Sequence, residues 1–163
     1  MRRKDREVTD RAEIMNILFR CDTIRIGIQG DEFPYVVPVS FGMEIVEDKP
    51  IIYFHSAKQG LKLDLLKTHP KVCVEGDIFL KVETTEQGIT TRYESIIGTG
   101  ACEFLSDMGE IKRALHIINE HYGYSDYPLE RCRGLAHLCV GKIVLCSITG
   151  KRNVTTMQKD DES

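Results

Sequence analysis

Two alternating runs meet in the sequence TIRIGIQGDEFPYVVPVSF, which spans residues 23–41. In the first run isoleucine occupies every second position from residue 24 to residue 28. In the second run Tyr35, Val37, Val39 and Phe41 alternate with Val36, Pro38 and Ser40. A period of two is typical of a β-strand with one apolar face, and the polar residues 29–32 between the runs favour a turn. The stretch therefore predicts an antiparallel hairpin.

Pro38 restricts how the second strand of this hairpin can pair. Proline has no N–H group to donate to a neighbouring strand, so it is found at sheet edges and bulges. We therefore expect an edge, a bulge or an open face at Pro38. Unpaired strand backbone at that point would be available to a ligand.

Helical signals lie on both sides of the hairpin. Two pairs of residues have the spacing of a capping box, namely Asp10 with Glu13 and Asp107 with Glu110. Apolar residues follow each pair at helical spacing, which predicts one helix near the N-terminus and one that runs to about Tyr122. A third, short helix is predicted after residue 58, with a buried stripe formed by Leu61, Leu65 and Leu66.

Further strands are predicted at residues 51–54, 72–75, 93–105 and about 137–148. Gly98 and Gly100 suggest a bulge or a close backbone approach within the third of these. About six strands and three helices result, and the helices do not alternate regularly with the strands. A doubly wound parallel sheet is therefore disfavoured, and a mainly β fold, a mostly antiparallel barrel with flanking helices, is predicted.

Length and composition bound the organisation of the chain. With 163 residues and 42% hydrophobic residues, we expect a single domain over residues 1–152 and a disordered tail over residues 153–163. The apolar runs are far shorter than the roughly 20 residues that span a bilayer, and no signal peptide is evident, so we expect a cytoplasmic protein without a membrane segment. The net charge of −3 offers no bulk attraction to nucleic acid.

Cysteine and histidine patterns argue against a metal site. None of the six cysteines forms a Cys-x-x-Cys pair, so a zinc ribbon is not indicated, and we expect most of them to be buried, reduced thiols. The histidines have no carboxylate or cysteine at a metal-binding spacing. We therefore expect no bound metal.

The segment YFHSAKQGLKLD, residues 53–64, carries the strongest chemical signal. If a strand ends here and a helix begins, free backbone N–H groups and the positive end of the helix converge on one point, where an anion binds well. Ser56 could donate a hydroxyl hydrogen bond, and Lys58 and Lys62 could share one helical face. The alternative is an ordinary solvated helix start with two surface lysines.

Four motifs carry a resemblance to a known family. They are MRRKDRE at residues 1–7, FPYVVPVSFG at 33–42, YFHSA at 53–57 with Gly60 and Lys62, and TGKR at 149–152. In this order and at these separations, the chain resembles the nitroimidazole-resistance (Nim) branch of the pyridoxamine 5′-phosphate oxidase-like FMN-binding proteins. The resemblance implies a split β-barrel that forms a homodimer and holds FMN at the subunit interface.

The resemblance also implies positions for the cofactor. The FMN phosphate would lie near His55, Ser56, Ala57, Lys58, Gly60 and Lys62, where the residue pattern independently predicts an anion. The isoalloxazine ring would lie along Val36, Val37, Pro38, Val39 and Ser40. Arg25 is a further candidate for the phosphate or the ribityl chain. Lys151 and Arg152 would reach the flavin from the partner subunit, unless they are simply a solvated charge pair.

The resemblance further implies an FMN-dependent oxidoreductase that reduces a small electron-poor substrate such as a nitroaromatic compound. His55 could donate a proton during the reduction, or it could only orient the phosphate. Two other readings stay open: a flavin-binding or redox-sensing module without catalysis, and a haem-binding split barrel with a histidine as axial ligand. A pyridoxamine phosphate oxidase proper is disfavoured, because its C-terminal substrate-binding segment is not recognisable here.

Overall fold

The computed structural model describes residues 3–131 and 134–154 of the chain. The three α-helices are α1 (Arg11–Arg20), α2 (Leu61–Thr68) and α3 (Met108–His121). The strands are β1 (Glu7–Val8), β2 (Ile24–Ile28), β3 (Tyr35–Val39), β4 (Phe41–Val46), β5 (Lys49–Ala57), β6 (Lys71–Thr85), β7 (Gly88–Phe104) and β8 (Leu138–Asn153). Short 3-10 helices cover Lys4–Arg6, Leu129–Arg131 and Leu135–His137. Within these residues the sheet has eight strands instead of about six, because β1 and β4 were not predicted.

All these strands join one antiparallel sheet in the order β3-β2-β6-β7-β8-β5-β4, and β1 pairs with β8. Only Ser40 separates β3, at one end of this order, from β4, at the other end. The sheet therefore curls back on itself. This arrangement confirms the predicted fold, a mainly β, mostly antiparallel split barrel with three flanking helices.

β2 and β3 form the predicted hairpin, with Ile24 opposite Val39 and Ile28 opposite Tyr35. The three isoleucines of β2 are buried, as the period of two predicts. In the part of the chain that is described, β3 has β2 as its only strand neighbour. The expected edge at Pro38 is therefore confirmed, and one side of the β3 backbone lies open.

β6 and β7 form a hairpin that is much longer than predicted. β2 pairs with β6 only between Val72 and Gly76, and β8 pairs with β7 from Tyr93 onward. Beyond these points the two strands pair with each other alone and form an arm. The loop expected at residues 83–88 shrinks to a two-residue turn at 86–87. A solvated two-stranded arm has no single buried face, so its sequence lacks the alternation that reveals β2.

The bulge suggested by Gly98 and Gly100 is present between β7 and β8. Thr99 pairs with Ser147 and Gly100 pairs with Leu145, so Cys146 is the extra residue. The Cys146 thiol donates to the Thr99 carbonyl oxygen at 3.2 Å. A Cβ at position 100 would collide with the backbone of β8, which explains the glycine.

Two of the three helices begin at the capping residues that the sequence indicated. The Asp10 carboxylate accepts from the Ala12 N–H at 2.8 Å, and the Asp107 carboxylate accepts from the Glu110 N–H at 2.9 Å. By contrast, α2 begins after Gly60 without a side-chain cap. None of the helices in the described ranges is long and apolar enough to cross a membrane.

The buried stripe of α2 also differs from the prediction. Leu63, Leu65 and Leu66 are buried, whereas Leu61 is 58% exposed at the first position of the helix. Leu65 and Leu66 pack in the barrel core, whereas Leu61 lies at the exposed first position of the helix.

Two apolar clusters fill the molecule. The larger lies inside the barrel and includes residues of α1, α2 and most strands, with Phe41 and Phe54 among its fully buried side chains. The smaller joins α3 to the other face of the sheet, where Tyr53 and Val140 contact the helix residues Ala114, Leu115 and Ile118. β5 therefore packs on both faces, which rigidifies the segment that leads to α2.

Cysteine burial differs from the expectation. Of the five described cysteines only Cys21 and Cys102 are buried, Cys139 is half-buried, and Cys73 and Cys146 are exposed.

The expected tail lies largely outside the described residues. Asn153, its first residue, belongs to β8, and its amide donates to the Thr91 carbonyl oxygen at 2.6 Å.

Candidate functional site

The segment that carries the strongest signal lies where β5 leads into α2. The expected end of the strand at Phe54 was wrong, because β5 continues to Ala57 and pairs with β8. His55 is opposite Val140, and Ser56 is opposite Cys139. Neighbouring residues of a strand point to opposite faces, so Ser56 and Cys139 share the barrel side with Phe54, and His55 points to the α3 side.

The backbone at this junction is partly open. β4 begins at Phe41, opposite Phe54, so the residues of β5 beyond Phe54 have no described strand neighbour on that side. Ser40 precedes Phe41 and His55 follows Phe54, so the end of β3 and the end of β5 flank the same opening. The structure thus brings together two segments that the sequence analysis selected separately.

Gly60 makes the turn from β5 into α2 possible. Its φ of 130° lies in a region that residues with a side chain rarely adopt, although nothing within 4 Å would obstruct a Cβ. Glycine is therefore required here by backbone conformation and not by space. Among the described residues, no side chain caps the first N–H groups of α2.

Three lysines surround the junction, and we call Lys58, Lys62 and Lys67 the lysine cluster. The Lys62 ammonium lies 5.5 Å from the centre of the Phe54 ring, and burial lowers its pKa. The field of all three lysines acts on the Cys139 thiol and opposes the rise in its pKa that burial causes. The positive charges therefore converge on one side of the β5–α2 junction.

His55 lies in the field of Lys62. Neighbouring atoms desolvate part of its ring even though the residue is exposed overall, and this desolvation lowers the pKa of the imidazole. The positive charge of Lys62 lowers it further. The imidazole is consequently neutral at neutral pH in the absence of an anion.

Two residues at this junction escaped the sequence analysis, and one expectation about it was wrong. Lys58 and Lys62 do not share a helical face, because α2 begins at Leu61. Lys67, in the last turn of α2, has a sequence signal only as a third lysine in the same short segment. Cys139 has none, because it reaches the junction through the pairing of β5 with the distant β8.

Along β3 the candidate ring-binding residues divide between two faces. Val36 and Pro38 are exposed, with 59% of Val36 accessible, whereas Val37 is half-buried and Val39 is buried in the barrel core. Ser40 is exposed at the junction with β4. Val37 and Val39 can therefore meet a ligand only through their backbone, and Val36 and Pro38 can also offer side chains.

Arg25 is already compensated by acidic partners. It lies opposite Pro38 on the outward face, and its guanidinium contacts Glu75 at 3.1 Å and Asp77 at 2.5 Å. These carboxylates raise the pKa of Arg25 and neutralise its charge. A phosphate at Arg25 would have to displace at least one of these carboxylates.

Lys151 and Arg152 lie near the far end of β8. The Lys151 ammonium is 5.6 Å from the centre of the Tyr93 ring, and Arg152 forms ion pairs with Glu13 and the buried Glu94. The path along β8 from Cys139 to Lys151 is about 40 Å at the usual rise per residue. These residues therefore lie apart from the lysine cluster along the strand.

A metal centre is not evident within residues 3–131 and 134–154. No three histidine, cysteine, aspartate or glutamate residues come together there in a way that could hold an ion. The arrangement at the β5–α2 junction instead has the chemistry of an anion site, because ammonium groups, a hydroxyl group and backbone N–H groups are all hydrogen-bond donors.

Comparison of the sequence and the fold with known proteins identifies a family. The model of the family described as pyridoxamine 5′-phosphate oxidase matches residues 10–152. A solved structure of a candidate 5-nitroimidazole antibiotic resistance protein from Bacteroides thetaiotaomicron is 30% identical, with a TM-score of 0.79 over 90% of this chain and 86% of that chain. No curated protein matches the sequence.

Two further solved structures share the fold at lower identity. An FAD-binding protein from Mesorhizobium loti is 20% identical, with a TM-score of 0.65 over 91% of this chain and 98% of that one. An FAD- and heme-binding protein from Mycobacterium smegmatis is 14% identical, with a TM-score of 0.74 over 92% and 74%. Family membership supports the expected class of cofactor, a flavin. The resemblance carried by the four motifs is confirmed, and the chain belongs to the pyridoxamine 5′-phosphate oxidase family, in which it fits the nitroimidazole-resistance branch.

Proposed function

We propose that this protein binds FMN and reduces a small electron-poor acceptor, for which a nitroaromatic compound is the test substrate. The observation that carries the proposal is the position of Ser56 and the half-buried Lys62 at the β5–α2 junction, beside the open backbone of β3. The 30% identity to the candidate 5-nitroimidazole resistance protein supports the class of substrate.

The donors at the junction fit a phosphate. Lys62 is partly desolvated, so an anion there would interact with it more strongly than with a fully hydrated lysine. Ser56 lies on the barrel side with Cys139, within the field of the lysines, and can donate its hydroxyl. Charge-assisted hydrogen bonds of this kind contribute about 1.5–3 kcal/mol each.

The ring of the flavin would lie along β3. The open edge of this strand offers N–H and C=O groups to the polar edge of the ring, and Val36 and Pro38 offer apolar surface to its flat face. Because Ser40 joins β3 to the opening beside His55, one ligand could reach both segments.

When bound, the flavin supplies the electron transfer, and the residues of the chain supply binding, orientation and a proton. An anion bound at Lys62 offsets the charge of this lysine, which otherwise lowers the pKa of His55. His55 therefore gains proton affinity when the anion binds. A protonated His55 could donate to a reduced acceptor, or it could hold the phosphate.

Lys151 and Arg152 lie near the end of β8, far along the strand from the β5–α2 junction, which suggests a role for a second subunit. Because this end of β8 lies about 40 Å along the strand from Cys139, we propose that Lys151 serves the flavin bound mainly by the partner subunit in a homodimer, and that Arg152, held by Glu13 and Glu94, fixes the position of this end of the strand. The exposed apolar residues on the outward face of the sheet, among them Val36 and Ile97, would be covered by this interface.

The first test is the absorption spectrum of the purified protein, followed by titration of flavin-free protein with FMN. We expect flavin bands, and release of FMN on denaturation. The Ser56→Ala, Lys62→Met double variant should bind FMN at least about tenfold more weakly, from the loss of two donors. The control is Lys49→Met, because Lys49 is an exposed lysine at the start of β5, at the end of the strand away from the junction.

Three outcomes contradict the proposal at different steps. Failure to bind FMN overturns the cofactor, and a Soret band in its place favours the haem-binding alternative. FMN binding without anaerobic turnover of NAD(P)H and a nitroaromatic acceptor favours a flavin-binding module without catalysis. FMN binding that the double variant leaves unchanged overturns the assigned phosphate site.

A further inference from the structure

A separate cavity of about 440 Å³ lies between α2, the start of α3 and the first residues of β8. Its walls are mostly apolar, and the residues that line them include Phe104, Leu105, Met108, Ile111, Leu135 and Leu138. Each of these six side chains is half-buried or exposed, so each keeps apolar surface that a ligand could cover. The volume suits a molecule of two or three fused or linked rings.

The polar lining of this cavity has one sign of charge. Lys58 and Lys67 lie at its rim with Ser106 and Cys139, and no aspartate or glutamate is among the described residues that line it. Both lysines line the cavity together with Cys139, so their charge acts on a ligand bound there. The cavity thus combines apolar walls with an uncompensated positive rim.

We propose that this cavity is a second ligand site, which binds a compact aromatic or aliphatic anion with its charged group at Lys58 and Lys67. The apolar body would cover the walls formed by Leu105, Leu138 and their neighbours, and the charge complementarity of the rim selects an anion over a neutral or cationic molecule. Lys62, which we assign to the flavin phosphate, does not line the cavity. The ligand can therefore bind together with FMN.

The probe for this site is 8-anilinonaphthalene-1-sulfonate, an apolar aromatic anion, and its neutral counterpart is N-phenyl-1-naphthylamine. Binding is measured by fluorescence titration of the full chain, with and without saturating FMN. We expect saturable binding of the anion to one site per chain in both conditions. The neutral compound should bind about tenfold more weakly, because it makes no charge-assisted contact with the lysines.

Two variants locate the binding. Lys67→Met keeps the aliphatic stem and removes the charge. It should therefore weaken binding of the anion severalfold and leave the affinity for the neutral compound unchanged. Met108→Trp should prevent binding of both compounds, because Met108 lines the cavity and a larger side chain would fill part of it. The fold should tolerate the change, since Met108 is 51% exposed. Lys49→Met, at the far end of β5, should change neither affinity.

Alkylation of thiols gives a second, independent readout. Cys139 lines the cavity, whereas Cys73 and Cys146 are exposed elsewhere on the sheet. The bound probe should slow the reaction of iodoacetamide with Cys139 and leave the other two rates unchanged, as measured by peptide mass spectrometry.

The proposal is overturned by equal affinity for the charged and neutral compounds, by the absence of protection at Cys139, or by complete displacement of the probe by FMN. The last result would make the cavity part of the flavin site. None of these outcomes affects the assigned phosphate site, because FMN binding itself is measured separately.

Discussion

His55 is desolvated and lies in the field of Lys62, and both effects lower the pKa of its imidazole. The unfolded chain, whose histidine has an ordinary pKa near 6.5, therefore binds more protons than the folded chain just below that pH. Folding stability consequently decreases as pH falls through this window. We expect His55→Gln to lose less stability than the native chain between pH 7.5 and pH 5, measured by urea unfolding at each pH.

This expectation fails if the two proteins show the same pH dependence, because another group would then be responsible. The same variant should also remove the part of the pH dependence of FMN affinity that arises from protonation of His55. Comparison with the native chain cancels the titration of the FMN phosphate itself.

Glu94 is 6% exposed and forms ion pairs with Arg20 and Arg152, which tie α1, β7 and β8 together. Removing its charge leaves two partly buried guanidinium groups without their acceptor. We expect Glu94→Gln to lower the free energy of unfolding by about 2 kcal/mol. This is less than the loss of a fully buried ion pair would cost, because both arginines are partly exposed. Chemical denaturation measures this change.

The matched control for Glu94 is Glu103→Gln. Glu103 also pairs with a basic residue of β8, at 2.8 Å from the Lys142 ammonium, but its side chain is 62% exposed. Its loss should cost less than about 0.5 kcal/mol. Equal effects at the two positions would mean that burial does not determine the strength of these pairs here.

Gly141 supports the floor of the proposed phosphate site. A Cβ at this position would collide with the Phe54 ring, over which Lys62 lies. We expect Gly141→Ala to destabilise the fold by about 1–3 kcal/mol, as overpacking of a core does, and to weaken FMN binding by displacing Phe54 and Lys62. Differential scanning fluorimetry and FMN titration test both effects. An unchanged affinity for FMN would mean that Phe54 does not support the phosphate site.

At the scale of elements, the turn between β5 and α2 depends on Gly60. Its φ of 130° strains any residue with a Cβ, at a cost of about 1–3 kcal/mol. We expect Gly60→Ala to lower thermal stability and to weaken FMN binding, because it shifts the start of α2 relative to β5. Gly134→Ala is the control, since Gly134 has a helical φ of −83° and open space around it, and it should be neutral or slightly stabilising.

The elements that were predicted correctly share a local cause. The isoleucines of β2 and the capping residues Asp10 and Asp107 act on neighbours within a few positions, so their patterns can be read directly from the sequence. The end of β5 and the β6–β7 arm were misjudged because their strand pairing continues where the apolar alternation stops. Pairing with the distant strand β8 extended β5, and that partner leaves no local signal. The arm has no single buried face, so its sequence shows no alternation.

At the scale of the whole molecule, the outward face of the sheet should form the homodimer interface. Ile97 is 53% exposed there, on the same face as Val36. We expect Ile97→Arg to produce monomers in analytical ultracentrifugation, and to weaken FMN binding because each site loses the residues of the partner. Ile89→Arg is the control, since Ile89 is 80% exposed near the tip of the β6–β7 arm. A monomeric native chain with tight FMN binding would contradict the proposed interface.

The sequence by itself determined the local structure and the family. Alternation along residues 23–41 predicted the hairpin and its edge at Pro38, and four motifs predicted the split barrel and a flavin. These features depend on the order of side chains over short stretches, so they can be read from the sequence without knowledge of the fold.

The tertiary structure alone decided which charges are free at the candidate site. It engages Arg25 with Glu75 and Asp77, engages Arg152 with Glu13 and Glu94, and leaves the lysine cluster around Cys139. Whether a charged side chain is compensated depends on partners far away in the chain, brought close by strand pairing. A local pattern contains no information about those partners, because the pairing of β5 with β8 and of β2 with β6 arises only when the barrel closes.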